Sequence, residues 1–527
     1  MASSTSATSA HNDLNTPECP ISPIPSTTID AAPSKESRKW RKKKQWIIEQ
    51  DDDEDEDVFY EYYYPFNLED KSKKQTLITL DRKRKPKAKI DLDSPVNKKT
   101  AKKTTSPKKT GVSSSKSNQN VKERPQLYDP QAVHQLSKEY PDTYWEYHAD
   151  IEGGADMMNR INSANPIKSL PVNISDQGAI TGMTLSKDGT LLATFSSTGS
   201  IKIWDIQDDF KLLRKIRDSL EDQIDEFYCG QFIGDCIITA GKLKDRHRWS
   251  VEDNDNHILP CPIKIFNATS TERVARLEGH SEEILCVKTL TFKSENYLIS
   301  TSQDGYIMKW HMNETWTKLI KATAMLDGIT CMAFTVSFVP NTGNKYFIAA
   351  CDEQLKLFDF EQAMASIVLQ TFPEMYSSYC DCGKFIRWLD EPTKDESNVE
   401  FAWFISRGAE MCNLEDGISA SKPNTCILHK LVYPTKVGSE FVLETVQKFM
   451  HQDYHSNSWL VKITSNGRYI LAPTIYGQIF VFNIATAQVT AILKEHVDME
   501  VRDVIFHSYK PLLFSSCDDG SVKVYAY

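Results

Sequence analysis

Nowhere in the 527 residues is there an unbroken run of ~18 apolar side chains, so no membrane-spanning helix and no membrane partner are expected. The opening Met1–Ala10 is otherwise Ser, Thr and Ala, without the apolar core of a secretory leader. Twelve cysteines spread along so long a chain do not make a disulfide framework. Cys286, Cys331, Cys351 and Cys517 sit among apolar or small residues and read as reduced core thiols of a cytosolic or nuclear protein. A glycine-rich phosphate loop, HExxH, GxSxG and the kinase signatures are all missing. No catalytic residue, cofactor or small-molecule substrate is therefore assigned, and the protein is expected not to be an enzyme.

A metal site is not expected either. Cys380-Asp-Cys382 offers two thiols, and no second pair stands at a zinc spacing. His451-Gln-Asp-Tyr-His455 packs two imidazoles and a carboxylate into five residues. His455, however, lies just ahead of a repeat, much as His280 does, which favours a structural histidine. Asp390, Glu391, Asp395 and Glu396 read as a solvated loop.

Charge divides the chain. The net charge of -10 combines a first part, Met1–Gln126, with 25 Lys/Arg and 19 Asp/Glu, and a remainder with 37 and 53. Within the first part, Lys71–Arg124 alone has 18 basic and 4 acidic residues. A basic arm on an acidic body points to an arm that touches a polyanion while the body does something else. Residues 1–125 have little apolar periodicity and are expected to be a disordered tail. The tail carries basic clusters at 38–44 (Arg38, Lys42, Lys43, Lys44) and 82–109 (opening with Arg82, Lys83, Arg84, Lys85). Nuclear import and weak, salt-dependent phosphate contacts are the functional reading of these clusters; a solubilising linker is the plain one. The acidic run Asp51–Asp57 leads straight into the aromatic island Phe59, Tyr62, Tyr63, Tyr64 and Phe66. Such a run resembles the short motifs with which histone chaperones cap basic histone surfaces, and histones are the partner it implies. Two competing readings stay open: the run pairs with the protein's own basic arm, or the island docks on its own folded domain. Residues 126–164 are a transitional stretch, aromatic enough at Asp142–His148 to pack on the outside of that domain.

After about Ile167 the texture is of short apolar runs between turns, the signature of many antiparallel strands. One ruler recurs: strand, tight turn, strand, with an aromatic five residues after the turn glycine. It fits Gly199/Trp204, Gly305/Trp310, Gly477/Phe482 and Gly520/Tyr525, and fits Phe358 with Glu353 in place of glycine. A sixth copy, Ile237–Gly241 and Pro262–Phe266, is interrupted by a polar insertion, Lys242–Cys261, which must project from one face. The aromatics at 204, 266, 310, 358, 482 and 525 are spaced by 62, 44, 48, 124 and 43 residues. With about 40–45 residues per unit, the widest gap must hold one more, decorated unit, with Phe401–Asn413 as its strand pair. The expected fold is all-β: a seven-bladed propeller over 165–527 behind the disordered tail. The chain stops soon after a third strand, so Ile167–Ile174 is expected to supply the outer strand of the last blade. Pro171 is tolerable there, on an edge.

These repeats resemble the WD40 family, on Trp204-Asp205, Gly279-His280 and the Asp304-Gly305 and Asp519-Gly520 turns. In that family a His, a strand Ser/Thr, a turn Asp and the Trp form a hydrogen-bonded set that stiffens a blade. The resemblance implies one full set here, His280, Ser300, Asp304 and Trp310, and a partial one, His496, Ser516 and Asp519 with Tyr525. The other blades are left to apolar packing. The family is specific for fold and poor for function. It implies a scaffold whose partners are other proteins, held on the propeller faces and on insertion loops at Lys242–Cys261, Glu391–Val399 and Asp416–Asn424. The expected setting is the nucleus, with the cytoplasm as a second location, in association with chromatin or nucleic-acid machinery. Two alternatives stand beside it: a subunit of a transcription or RNA-processing complex, and a substrate receptor of a cullin-type ubiquitin ligase. The last is disfavoured by Gln207, which stands where such receptors usually carry Arg or Lys after Trp-Asp.

Overall fold

The structure is a computed structural model that describes residues 128–142, 160–163, 165–218, 225–250, 255–325, 332–351, 354–362, 368–373, 375–376, 379–392, 399–409, 423–458, 460–496 and 498–527. Strands here are short because each apolar run is cut by a turn. In blade 1, Leu191–Ser196 and Ser200–Asp205 are joined at Gly199, whose φ of 69° suits a residue without a Cβ. Their register sets Leu192 opposite Trp204 and Phe195 opposite Ile201. Repetition of this hairpin, flanked by one inner and one outer strand, gives seven four-stranded antiparallel sheets, each in simple sequence order except the last. Blades 1 to 6 span residues 180–217, 225–277, 284–325, 333–372, 380–450 and 464–493.

Blade 7 takes three strands from residues 501–526 and its outer strand from β1 (Lys168–Ser175), which runs antiparallel to Ser521–Ala526. Pairing breaks between Leu170 and Ile174, around Pro171, which has no N–H to give. Ile174 is buried with Phe514, Val522 and Val524 and with blade 1 residues Ile180, Leu192 and Trp204. β1 thus joins the two ends of the ring. The core lies between blades: Ile238, Ala240, Ile263 and Ile265 of blade 2 pack on Val287, Leu298 and Trp310 of blade 3. A fully buried aliphatic or aromatic side chain contributes about 1.5–3 kcal/mol relative to an exposed one.

Ahead of β1, helix α1 (Pro130–Glu139) is capped by Asp129, whose carboxylate accepts from Gln131 and Ala132 N–H. Tyr128 packs edge-on against Phe441 at 4.8 Å and beside Tyr346 at 5.5 Å. Asp142 accepts from Thr342 and Asn344 N–H at 3.0 and 2.8 Å. These contacts lie on the loop between the first two strands of blade 4 and the loop between the last two of blade 5. Further along, Ile161 N–H donates to Tyr469 Oη at 2.8 Å.

Two strand expectations change. Phe401–Asn413 is not a strand pair: Phe401–Gly408 is one strand, and Thr425–Val432 is its partner. Arg407, which looks like a turn residue in sequence, is instead a buried strand residue. The Lys242–Cys261 insertion, expected as a projecting polar stretch between strands, is a continuation of the strands themselves. Cys236–Ser250 and Asp255–Asn267 stay paired out to Ser250 opposite Asp255.

Candidate interaction face

Buried polar sets make the scaffold rigid. In blade 3, Trp310 Nε1 donates to Ser300 Oγ at 2.8 Å, and Ser300 Oγ lies 2.7 Å from His280 Nε2. A hydroxyl that accepts from Trp310 donates onward to His280, which leaves the Nδ1 proton for Asp304 at 3.0 Å. Burial opposes charge on Asp304, but the His280 hydrogen bond and two backbone N–H groups outweigh it and hold the carboxyl below its usual range. In blade 7, His496 Nε2 meets Ser515 at 2.8 Å, not the expected Ser516, while Nδ1 is 3.5 Å from Asp519. The spacing explains this: Ser300 precedes Trp310 by ten, as Thr194 precedes Trp204, to which it is hydrogen-bonded at 3.3 Å, and Ser515 precedes Tyr525.

The expectation that other blades rely on apolar packing alone is corrected by the same geometry. In blade 5, Tyr376 Oη lies 2.9 Å from Ser406 Oγ, which lies 2.8 Å from His429 Nε2. His429 is opposite Phe404 as Trp310 is opposite Leu298, and Tyr376 stands four residues before its inner strand as His280 does. The set is therefore the same, with tyrosine in the loop and histidine in the strand. Burial pushes His429 down to about 3, so it stays neutral. In blade 1, Asp176 holds the loop position, accepting from Ser200 at 2.7 Å and pairing with Lys202 at 3.1 Å. In blade 2, the fully buried Lys264 ammonium sits between Asp218 and Asp225 at 2.9 and 2.7 Å.

A second set closes one end of the central channel. In six blades the pairing of inner and second strands skips one residue near the start of the inner strand, leaving Thr181, Tyr228, Leu285, Phe334, Asp381 and Arg502 as bulged positions. Tyr228, Leu285 and Phe334 form one apolar cluster with Leu460, which precedes blade 6. Lys462, also ahead of blade 6, donates to the carbonyls of Thr181 and Tyr228 and pairs with Asp503 at 3.3 Å. Blades 6 and 2 are not neighbours, so these contacts cross the channel. Gly182 makes room, since a Cβ there would stand 3.1 Å from Lys462 Nζ. Arg407, fully buried, donates to the carbonyls of Val461, Ser456 and Ser458 and pairs with Asp381 at 2.9 Å. Burial pushes Asp381 up to about 7, although Arg407 pulls the other way. Arg502 binds Asp518 through two nitrogens, at 2.8 and 3.0 Å, and Glu500 at 2.9 Å. Tyr228 Oη donates to Glu283 at 2.8 Å. This end of the channel is a packed, ion-paired plug.

The same face carries the blade 2 hairpin. At about 3.3 Å per residue, the stretch of its second strand beyond Cys261 reaches roughly 20 Å past the blade. Close to its tip, His257, opposite Arg248, makes a buried contact with Glu282 through Nδ1. Along its first strand Lys244, Arg246, His247, Arg248 and Trp249 are exposed. On the rim, the outer strand of blade 5 (Val442–Met450) is, among the described residues, an open edge that exposes Val442, Val446 and, 62% exposed, Met450.

The WD domain, G-beta repeat model matches residues 165–205, 271–311 and 487–526, which are the blades of Trp204, Trp310 and Tyr525. Together with the seven-sheet ring, this decides the family. The chain is a WD40-repeat β-propeller protein. WD40 propellers typically bind other proteins. Among curated proteins, the chain is similar to the kinesin-like protein KIF21B of Homo sapiens, 24% identical over 208 residues, which is 36% of this chain and 12% of that protein. KIF21B of Mus musculus is 24% identical over 184 residues, 32% of this chain and 10% of that one. The WD40 chain thus corresponds to about a tenth of those relatives' length.

Several site expectations for this WD40 protein fall outside the described residues: the acidic-aromatic motif 51–66, the basic clusters 38–44 and 82–109, and the loops at 393–398 and 416–422. Asn424, at the end of the last of these, is fully buried and joins Gly408 to Ser456. His455 stands nine residues before the inner strand of blade 6, not four, and faces Tyr476 rather than a strand serine. Cys380 and Cys382 are buried. Among the described residues, His496, Cys517 and Asp519 bring metal-capable atoms within 4.8 Å of one another. Burial pushes the Cys517 thiol up to about 12, and His496 is already committed to Ser515, so the group reads as blade stiffening. Of the missed residues, Asp381 and Arg502 did leave a signal, charges placed where an inner strand should be apolar; Arg407, on a second strand, and Lys462, ahead of blade 6, left none of that kind.

Proposed function

We propose that the protein is a non-enzymatic nuclear scaffold: the propeller holds protein partners on its exposed edges and loops, and the N-terminal tail places it on chromatin or nucleic-acid machinery. The observation that carries this reading is the division of the polar groups. Those in the interior are used to tie blades together, and one end of the channel is filled by Lys462, Tyr228, Leu285 and Phe334. What remains for recognition is outside: the blade 2 hairpin and the open edge at Val442–Met450. A nine-residue edge with exposed apolar side chains invites pairing unless something covers it, which favours a protein partner there.

The tail supplies the rest of the reading. Its basic clusters fit phosphate contact and import, and its acidic run with adjoining aromatics fits capture of histones. Capture of core histones by the full-length protein, compared with the variant carrying Tyr62→Ala, Tyr63→Ala and Tyr64→Ala, tests this part. Reduced recovery by the variant is expected; equal recovery removes histones from the reading.

A further inference from the structure

The outer strand of blade 1, Lys211–Arg217, carries Lys211, Arg214, Lys215 and Arg217 and no carboxylate. No other outer strand of the ring has more than two cations. After Gln126 the chain is acidic, with 37 Lys/Arg against 53 Asp/Glu, so four cations in seven residues are a local excess. Little within the protein neutralises them. Lys211 pairs with Asp208 at 3.1 Å, both side chains mostly exposed, and such a pair contributes little. Arg214 turns its guanidinium to two carbonyls, those of Leu213 at 2.8 Å and Thr269 at 3.4 Å. Lys215 lies directly opposite Lys202, whose ammonium is already committed to Asp176 at 3.1 Å; like charges so placed repel. Among the described residues no carboxylate pairs with Arg214, Lys215 or Arg217.

The strand is anchored from within. Ile216 is buried with Ile201 and Phe227, and the register with Ser200–Asp205 sets Leu212, Lys215 and Arg217 on one face and Lys211 and Arg214 on the other. Leu212 and Leu213 are 44% and 36% exposed between the cations. The inward backbone groups pair with Ser200–Asp205, while along the outward edge, among the described residues, no strand lies beside it. Seven residues at about 3.3 Å each make an edge of about 23 Å. Such an edge takes up an extended peptide through its backbone, and its side chains select which peptide. A row of cations keeps the edge from pairing with a copy of itself and admits a strand of opposite sign. Nucleic acid would meet the cations but leave the exposed leucines and the backbone groups unmatched. We propose that the Lys211–Arg217 edge binds an extended acidic segment of a partner protein, with apolar residues among its carboxylates, as a fifth strand of blade 1. The inference names the partner class for one exposed edge and so rests on the scaffold reading above.

The test is photo-cross-linking of the full-length protein with the peptide Glu-Glu-Leu-Glu-Leu-Glu-Glu carrying a benzophenone, the linked residues being mapped by mass spectrometry. The basic tail attracts the same peptide, so the position of the link is the readout. Links within Leu212–Arg217 are expected, with a several-fold loss in Lys215→Glu/Arg217→Glu at an unchanged thermal midpoint, since both side chains are exposed. A peptide of the same charge with its two leucines replaced by proline lacks two backbone donors and should label this strand several-fold less. Links confined to the tail, or equal labelling by the proline peptide, overturn the proposal. So does displacement of the label from this strand by a single-stranded oligonucleotide more readily than by the unlabelled peptide, which assigns the edge to nucleic acid. Absent links here, while Val446→Glu/Met450→Glu still loses partners in proximity labelling, sink this contact alone; if neither edge has a partner to lose, the scaffold reading falls with it.

Discussion

Replacing Arg407 with Met probes the joint between blades 5 and 6. Its guanidinium holds the carbonyls of Ser456, Ser458 and Val461 and neutralises Asp381, both side chains being fully buried. Methionine fills much of the volume but leaves three carbonyls without these donors and Asp381 without its cation. Removal of one partner from a buried pair costs about 3–5 kcal/mol, and this pair also anchors the loop that delivers Lys462 to the channel. Equilibrium urea unfolding near neutral pH should therefore show a loss of this size. Adding Asp381→Asn to Arg407→Met should recover part of it, because asparagine is spared the proton uptake that the buried Asp381 carboxyl, already pushed up to about 7 beside Arg407, undergoes without its cation, while the bare carbonyls stay. A loss below about 1 kcal/mol, typical of an exposed pair, or a double variant no better than the single, would refute the account of a load carried by this ion pair.

Other expectations follow from single contacts. Deleting residues 165–175 removes β1 and the ring closure; Ile174 alone contributes about 1.5–3 kcal/mol, and an unchanged thermal midpoint counts against closure by this strand. Glu283 is pushed by burial from 4.5 up to about 7, so the folded chain binds its proton more tightly than the unfolded chain and stability falls as pH rises through that window. Glu283→Gln removes the effect, and its stability relative to wild type should improve by up to about 3 kcal/mol between pH ~4.5 and pH ~7; a difference that does not change with pH contradicts this. Tyr376→Phe deletes one hydrogen bond of the blade 5 set and should cost about 1 kcal/mol in urea unfolding, whereas no cost would mean that the tyrosine is packing only.

Blade number was legible because it depends on spacing: a turn glycine five residues before an aromatic survives substitution of the aromatic itself, as at Phe482 and Tyr525. The blade 5 set was not legible because Tyr376 and His429 exchange places around Ser406; only the four-residue offset and the opposition of His429 to Phe404 reveal them. The channel plug was hidden for a different reason. Asp381, Arg407 and Arg502 break the apolar pattern of buried strands, and sequence alone assigns such residues to turns. Their burial is possible because Arg407 meets Asp381 of its own blade and the carbonyls of Ser456, Ser458 and Val461 ahead of blade 6, while Arg502 meets Asp518 and Glu500 of blade 7. The hairpin of blade 2 looked like an inserted loop since its polar residues carry no strand alternation; backbone pairing out to Ser250 is what orders it.

The central claim is that recognition belongs to the exposed surfaces of a rigid, plugged ring. Proximity labelling from the full-length protein in cells, followed by mass spectrometry, tests it most directly when wild type is compared with Val446→Glu/Met450→Glu and with a variant in which the 38–44 and 82–109 lysines and arginines are changed to glutamine. The account predicts a nuclear partner set in wild type, loss of a discrete group of proteins in the edge variant, and loss of chromatin proteins in the tail variant. Identical partner sets in all three would contradict it.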